Sequence, residues 1–489
     1  MKVSFSFTSL LALSSLATGS LASTFQSAKW AAIPPDYNTA LQFLANISPE
    51  GASPGAVGAA PSKSNPDYYY HWTHDAGTTL LEISTWLNGT SDASGSEVYS
   101  KKLADYANCS RSIQTIESPS GIGTAKFMMD GSAFTGAWCN PQRDGAAIRA
   151  ISLISYARWL IEHSKDVSQY YDGKDPSESV IKGDLEYIAS SWNADNNGCG
   201  IWEEIRGNHF YTCMIQRRAM IEGAQFAAQM GDTGTASMYE SQAVPITGNM
   251  TSFWNNDKNL ILPTINSNGG VNKPANIDSQ VLLAALHASL GDGFYIVDSD
   301  QMLASVVAKT NAFKPLYPIN TDTEATASSA TMPIAVALGR YPKDAHNGYN
   351  SGQQGNPWSL ITSGMADYHY RLVETWSTAG KVTITKATGT FFNQMKEFYG
   401  IAFTNAYEVG ATHTSDSDTF GGLLANTILS GDRYMVQVAH HTDASGLMTE
   451  QWLCGEGTPT GAPNLIWSFE AHTSAAHHRT AASRIVYGN

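Results

Sequence analysis

Apolar residues return with a period near 3.6 in segment after segment of this chain, and loops rich in Gly, Ser, Asn and Pro separate the segments. Over Asp144 to Lys165 the periodic set is Ala147, Ile148, Ile151, Ile154, Ala157, Leu160 and Ile161. Tyr211 to Met230 repeats the style and meets a stop at Gly231. Asp278 and Ser279 can cap a helix running through Val281, Leu282, Leu283, Ala285 and Leu286 to Gly291. Thr362 to Thr378, Thr388 to Phe403 and Asn464 to Ala482 supply further helix candidates. Helices this apolar around their circumference must be covered on two sides, as in a layered bundle or a double ring. Strand-like alternation is short and scarce, Lys381 to Ile384 being the clearest case. The expected class is all-α. No composition break and no Ser/Thr-rich stalk divides the chain, which reads as one domain.

The N-terminus directs that domain out of the cell. Lys2, the apolar stretch Phe5 to Ala17 and the small-residue exit Leu21-Ala22-Ser23 read as a secretory signal peptide over residues 1–22, leaving a mature chain from 23 to 489. No other segment approaches the roughly 18–20 apolar residues of a membrane span, so no membrane association is expected. Sequons at Asn46, Asn88, Asn108 and Asn249 fit a secreted glycoprotein. Of the 5 Cys, Cys109, Cys139, Cys199, Cys213 and Cys454, an oxidising compartment could make two bridges and leave one thiol, with the connectivity unreadable. Asp and Glu number 43 against 29 Lys and Arg, a formal charge of −14, which leaves no basic face for nucleic acid.

The long loops carry the chemistry. Long loops inside a compact helical domain are usually functional. Asp67 to Asp75, Gly136 to Gly145, Cys199 to Glu204, Gly339 to Asp344, Gly355 to Trp358 and Met448 to Trp452 each join aromatics to carboxylates, Arg or amides. A sugar ring offers an apolar face for stacking and a rim of hydroxyls needing donors and acceptors, so such loops suit a carbohydrate. Hydrolysing a glycoside needs two carboxyl groups on opposite sides of the scissile bond. Glu203 and Glu204 are adjacent and their side chains diverge, so they cannot be that pair. Glu450, beside Gln451 and Trp452, is the best partner for the first of them. His71, His74 and Asp75, or His440, His441 and Asp443, could approach a metal, but neither set has a clear further ligand. No G-x-S-x-G elbow or Gly-rich phosphate loop occurs, and no cofactor or metal is expected.

From about Phe25 to the end, the chain resembles the fungal glucoamylases of glycoside hydrolase family 15. The most specific pieces are Tyr68, Trp72, Thr73 and Asp75; Lys126-Phe127 with Asp130; Trp138 with Pro141 to Gly145; Trp202-Glu203-Glu204; Arg340-Tyr341-Pro342; Gly355 to Trp358; and Glu450-Gln451. The resemblance implies an (α/α)6 barrel of six inner and six outer helices, releasing β-D-glucose by inversion from non-reducing ends of α-1,4-linked oligosaccharides or polysaccharides. It implies Glu203 as general acid and Glu450 as general base, separated by roughly 6.5–9.5 Å to admit a water. Tyr68, Trp72, His74, Asp75, Trp138, Arg143, Trp202, Glu204, Arg340, Trp358 and Trp467 are the substrate-binding candidates, and a monomer is expected. The chain ends at Asn489 soon after the last helix, so no starch-binding module is expected.

Four positions depart from the family pattern. His74 stands where Arg is usual, and an imidazole is shorter and titrates near neutrality, so a weaker, pH-dependent grip on the terminal sugar is expected. His71 replaces a smaller residue, Gly200 an Asp, and Arg206 a neutral polar side chain. The changes at 74 and 200 raise an alternative, the same fold and mechanism on a different α-linked sugar or linkage. A binding protein without turnover is a third reading, disfavoured because it has no need of Glu203, Glu204 and Glu450 together.

Overall fold

The computed structural model describes residues 37–172, 179–194, 196–321, 335–352, 354–399, 407–442 and 445–488. The leader over residues 1–22 and Asp443 therefore lie outside the described residues. Thirteen α-helices occur among the described residues: α1 Tyr37–Ala45, α2 Thr73–Gly89, α3 Ala93–Thr115, α4 Asp144–Glu162, α5 Val180–Ser191, α6 Phe210–Gln229, α7 Thr233–Met250, α8 Ser279–Ala288, α9 Asp300–Phe313, α10 Ser359–Ala379, α11 Lys386–Tyr399, α12 Asp418–His440 and α13 Ile466–Tyr487. Helices α2, α4, α6, α8, α10 and α13 pack each on the next, and α13 returns to α2, closing an inner ring. Helices α1, α3, α5, α7, α9 and α12 alternate with them in sequence and lie against their outer faces, while α11 packs on α9. This is an (α/α)6 barrel.

Burial follows that layering. All ten residues of α8 are buried, as the apolar run Val281 to Leu286 requires. The outer α3, by contrast, buries Leu103, Tyr106, Ala107, Cys109, Ser110 and Ile113 and turns the rest of its 23 residues outward or to intermediate positions. One ion pair inside the wall is fully enclosed: Arg149 of α4 donates to both carboxylate oxygens of Asp184 on α5, at 2.8 and 2.6 Å. The helix ends differ as well. Outer α3, α5, α7, α9 and α12 are capped by the side chains of Asp92, Ser179, Asp232, Ser299 and Ser417. Among inner helices only α8 has such a cap, from Asp278; α2, α4, α6, α10 and α13 have none. Short antiparallel pairs lead into two of these ends, His71–Trp72 with Lys126–Phe127 before α2 and Asn208–His209 with Thr264–Ile265 before α6. The expected strand at 381–384 is Lys381–Thr383, paired with Thr412–Thr414.

Two expectations need correction. One disulfide forms among the described residues, Cys139–Cys199, rather than two. Cys109, Cys213 and Cys454 carry thiols, and burial pushes the first two up to about 11 and about 12. Asn46 is buried, and its Nδ2, the atom a glycan would need, donates to the Asn464 carbonyl at 2.8 Å. Asn88, Asn108 and Asn249 are exposed.

Candidate active site

The loops entering the inner helices converge on a cavity of about 350 Å3, at the lower end of the roughly 300–1,000 Å3 usual for ligand pockets. Trp72, His74 and Asp75 come from the start of α2, and Trp138 and Gln142 from the loop before α4. Trp202, Glu203 and Glu204 precede α6, Arg340 and Trp358 precede α10, and Glu450 and Trp467 flank the entry to α13. Helix N-termini carry partial positive charge, so this rim suits carboxylates and hydroxyl oxygens.

Glu203 sits at φ 61°, a left-handed backbone that a non-glycine residue rarely adopts. That turn sends it away from Glu204. Its Oε1 accepts from three N–H groups: Trp138 Nε1 at 2.6 Å, Gln142 Nε2 at 2.6 Å and Trp72 Nε1 at 2.9 Å. Burial raises its pKa, and it prevails over those three donors and nearby Lys126, all of which favour the anion. With Oε1 so occupied, a proton on this group belongs on Oε2. The loop carrying Trp138 and Gln142 and the loop carrying Glu203 are bound to each other, the Cys199 N–H donating to the Pro141 carbonyl at 2.9 Å. Cys139–Cys199 links them covalently, and Arg206 Nη1 donates to the Asn140 carbonyl at 2.7 Å and the Asn197 carbonyl at 2.8 Å.

Glu204 faces the opposite wall. It accepts from Arg340 Nη2 at 2.6 Å and from Tyr341 OH at 2.7 Å. Arg340 is itself gripped by Asp344 through Nε at 2.8 Å and Nη2 at 2.6 Å. Trp202 is fixed through Nε1 to Asp278 Oδ1 at 2.7 Å. At the floor, His74 Nδ1 lies 2.8 Å from Asp144 Oδ2, and its ring meets Tyr211 and Trp467 edge-on. Burial works against a charge on His74, but Asp144, Asp75 and Glu203 outweigh it and raise its pKa. Burial pushes Asp75 up to about 6 despite the counter-pull of His74.

Glu450 is 1% exposed. Its Oε1 accepts from Tyr68 OH at 3.0 Å and lies 3.3 Å from His346 Nε2. Its Oε2 accepts no hydrogen bond from a described residue.

Of the substrate-binding candidates, Tyr68, Trp72, His74, Asp75, Trp138, Trp202, Glu204, Arg340, Trp358 and Trp467 all line the cavity with Glu203 and Glu450. Arg143 does not. It occupies the N-cap of α4, and its side chain turns to Tyr187 on α5 and to Gly198. Gly200 also stands off the cavity, and a Cβ there would meet His209 Nδ1 at 2.7 Å, so the packing of that ring excludes a side chain. His71 is a buried acceptor for the Val57 N–H at 2.9 Å, and burial with nearby Arg149 pulls it down to about 3. No group of three His, Cys, Asp or Glu among the described residues is arranged to hold a metal. Sequence reasoning passed over Gln142 as an acid-loop donor, although it lies inside a quoted motif. It also passed over His346, which no motif contains. Lys126, from another of the family-like motifs, places its ammonium over the rings of Trp138, Tyr70, Phe134 and Trp72, at 3.3, 4.2, 4.3 and 4.4 Å.

The model of glycosyl hydrolases family 15 matches residues 39–476. The chain is 35% identical over 442 residues to glucoamylase 1 of Rhizopus oryzae, covering 90% of this chain and 69% of that one. It is 32% identical over 477 residues to glucoamylase GLU1 of Saccharomycopsis fibuligera, covering 89% and 87%. Among solved structures, a glucoamylase from Saccharomycopsis fibuligera matches with TM-score 0.79 and 30% identity, over 91% of this chain and 94% of that one. The family 15 glucoamylase from Hypocrea jecorina matches with TM-score 0.78 and 29% identity, over 91% and 71%.

Proposed function

The chain belongs to glycosyl hydrolases family 15, and from that premise we propose an inverting mechanism in which Glu203 is the acid and Glu450 the base. The enzyme is an exo-acting glycoside hydrolase of the glucan 1,4-α-glucosidase type, and its substrates are glucans. The observation that carries the mechanism is the meeting of two carboxyl groups from distant loops in one cavity, each with one oxygen already taken by protein donors. Burial favours the protonated form of Glu203, whose Oε2 hands its proton to the glycosidic oxygen as the bond breaks. Glu450 takes a proton from water, which attacks the anomeric carbon from the opposite face and inverts it.

Binding follows from the same walls. Arg340, Glu204, His74 and Asp75 offer donors and acceptors to hydroxyls, and the indoles of Trp202, Trp358 and Trp467 offer apolar faces. The buried Nε1 atoms of Trp358 and Trp467 find no acceptor among the described residues, so a sugar hydroxyl would satisfy them. Family membership favours glucose-terminated α-glucans over the changed sugar considered for His74 and Gly200, and the Gly200 departure has a packing explanation. Secretion rests on the leader sequence; no described helix is long and apolar enough to cross a membrane. Steady-state hydrolysis of maltotriose tests the assignment. Glu203→Gln and Glu450→Gln should each lower kcat by about 10²–10⁴-fold with little change in KM; wild-type turnover in either variant would remove that residue from its role.

A further inference from the structure

His346 lies between the Arg340-Tyr341-Pro342 and Gly355 to Trp358 motifs, in a stretch of Asn, Gly, Tyr and Ser that no sequence signal marks. The chain nevertheless delivers it to the buried end of Glu450. Its backbone N–H donates to Asp344 Oδ1 at 3.0 Å, the carboxylate that also holds Arg340. Its ring sits 6.0 Å from that of Trp358, tilted by 46°. From there Nε2 lies 3.3 Å from Glu450 Oε1. An ionised carboxylate can only accept, so Nε2 carries the hydrogen and donates. Tyr68 OH donates to the same oxygen at 3.0 Å.

We propose that His346 is a positioning residue for the general base, saturating Oε1 of Glu450 together with Tyr68 so that Oε2 alone takes the proton from water. Two donors on Oε1 make it a poorer base than Oε2, which accepts from no described residue. The backbone on the other side is shaped to match. Gly461, at φ 77°, packs so closely that a Cβ there would stand 2.5 Å from Oε2, and one at Gly348 would stand 3.4 Å away. A carboxylate free to rotate would exchange its two oxygens between these settings, and His346 with Tyr68 prevents that exchange. Because Asp344 holds both His346 and Arg340, the base and the sugar-binding guanidinium share one anchor.

The inference rests on Glu450 being the base, so the test includes Glu450→Gln. His346→Leu removes the donor and keeps an apolar contact for Trp358, whereas His346→Gln keeps an N–H at similar reach. With maltotriose as substrate, His346→Leu should lower kcat by about 10- to 100-fold, because a carboxylate no longer held in one orientation presents Oε2 to the water less often. KM should change less than kcat, because the contact to Glu450 bears on proton transfer even though His346 also lines the cavity. His346→Gln should recover most of the loss. A side chain that merely packs would instead give equal losses in both variants, and that result overturns the proposal. So does a His346→Leu enzyme with wild-type kcat, or one in which only KM rises. An inactive Glu450→Gln beside an unimpaired His346→Leu defeats this inference alone; a fully active Glu450→Gln defeats the assignment of the base as well.

Discussion

Gln142 offers the sharpest handle on the proposed acid, Glu203. Its Nε2 is one of three N–H groups on Glu203 Oε1, at 2.6 Å, and the side chain is 3% exposed. Gln142→Met keeps the length and volume of the side chain and removes the donor. Hydrogen bonds to a carboxylate favour its ionised form, so losing one raises the pKa of Glu203 beyond the rise that burial already causes. A hydrogen bond to a charged group is worth roughly 1.5–3 kcal/mol, and 1.36 kcal/mol corresponds to one pKa unit. Trp138 and Trp72 remain on the same oxygen, so the lower figure applies. The acid works while protonated, and activity falls as pH rises through its pKa. The alkaline limb of kcat/KM should therefore move to higher pH. At the optimum kcat should drop about tenfold, because the carboxylate formed by proton donation has lost a stabilising partner. The assay is kcat/KM on maltotriose across the pH range for both enzymes. An alkaline limb that moves to lower pH, or that stays fixed while kcat falls, refutes the account of Glu203.

Three further outcomes follow from other parts of the molecule. Gly461→Ala should lower both kcat and stability, because its Cβ would intrude to 2.5 Å from Glu450 Oε2 and φ 77° disfavours Ala; kinetics and thermal denaturation of one variant check this. Replacing Cys139 and Cys199 together by Ser opens a loop of 60 residues, for which chain entropy gives a loss of about 4 kcal/mol by denaturant unfolding. Glu82 is buried on α2 and pushed up to about 7 by burial, against an ordinary value of 4.5. Its raised folded-state pKa means that the unfolded chain ionises first, so its stabilising contribution is full below about pH 4.5 and is lost as pH rises to about 7. Glu82→Gln should therefore stabilise the protein at pH 7 by about 3 kcal/mol and make no difference at about pH 4.

What sequence reasoning could reach depended on how each residue is buried. Inner helices α4, α6, α8, α10 and α13 announce themselves because they are covered on several sides and bury long runs of residues in which apolar side chains recur. Outer helices are half solvated. In α3, six buried residues out of 23 leave a pattern too sparse to stand out beside its Lys, Ser and Asn residues. Inner α2 escaped for a different reason: it buries Ala76, Leu80, Ile83 and Leu87 in a helical stripe, but Thr73, Gly77, Thr78, Thr79 and Ser84 share the interior and dilute the apolar signal. Its first turn, carrying His74 and Asp75, therefore reads as loop. The cavity-lining aromatics and carboxylates were legible because several of them are neighbours within one loop. Adjacency says nothing of direction, which is why Arg143, inside a quoted motif, turns to Tyr187 instead. His346 reaches Glu450 across 104 positions of sequence, and only the folded chain brings them together.

The central claim is that water attacks with inversion while Glu203 gives a proton and Glu450 takes one. A proton NMR time course of maltotriose hydrolysis tests it most directly, because the anomeric signals of newly released glucose appear before mutarotation blurs them. The account predicts β-D-glucose first, with the α anomer growing in later, and no release by Glu203→Gln or Glu450→Gln on the same timescale. Early α-D-glucose would mean retention and would contradict the assignment of Glu450 as a base acting through water.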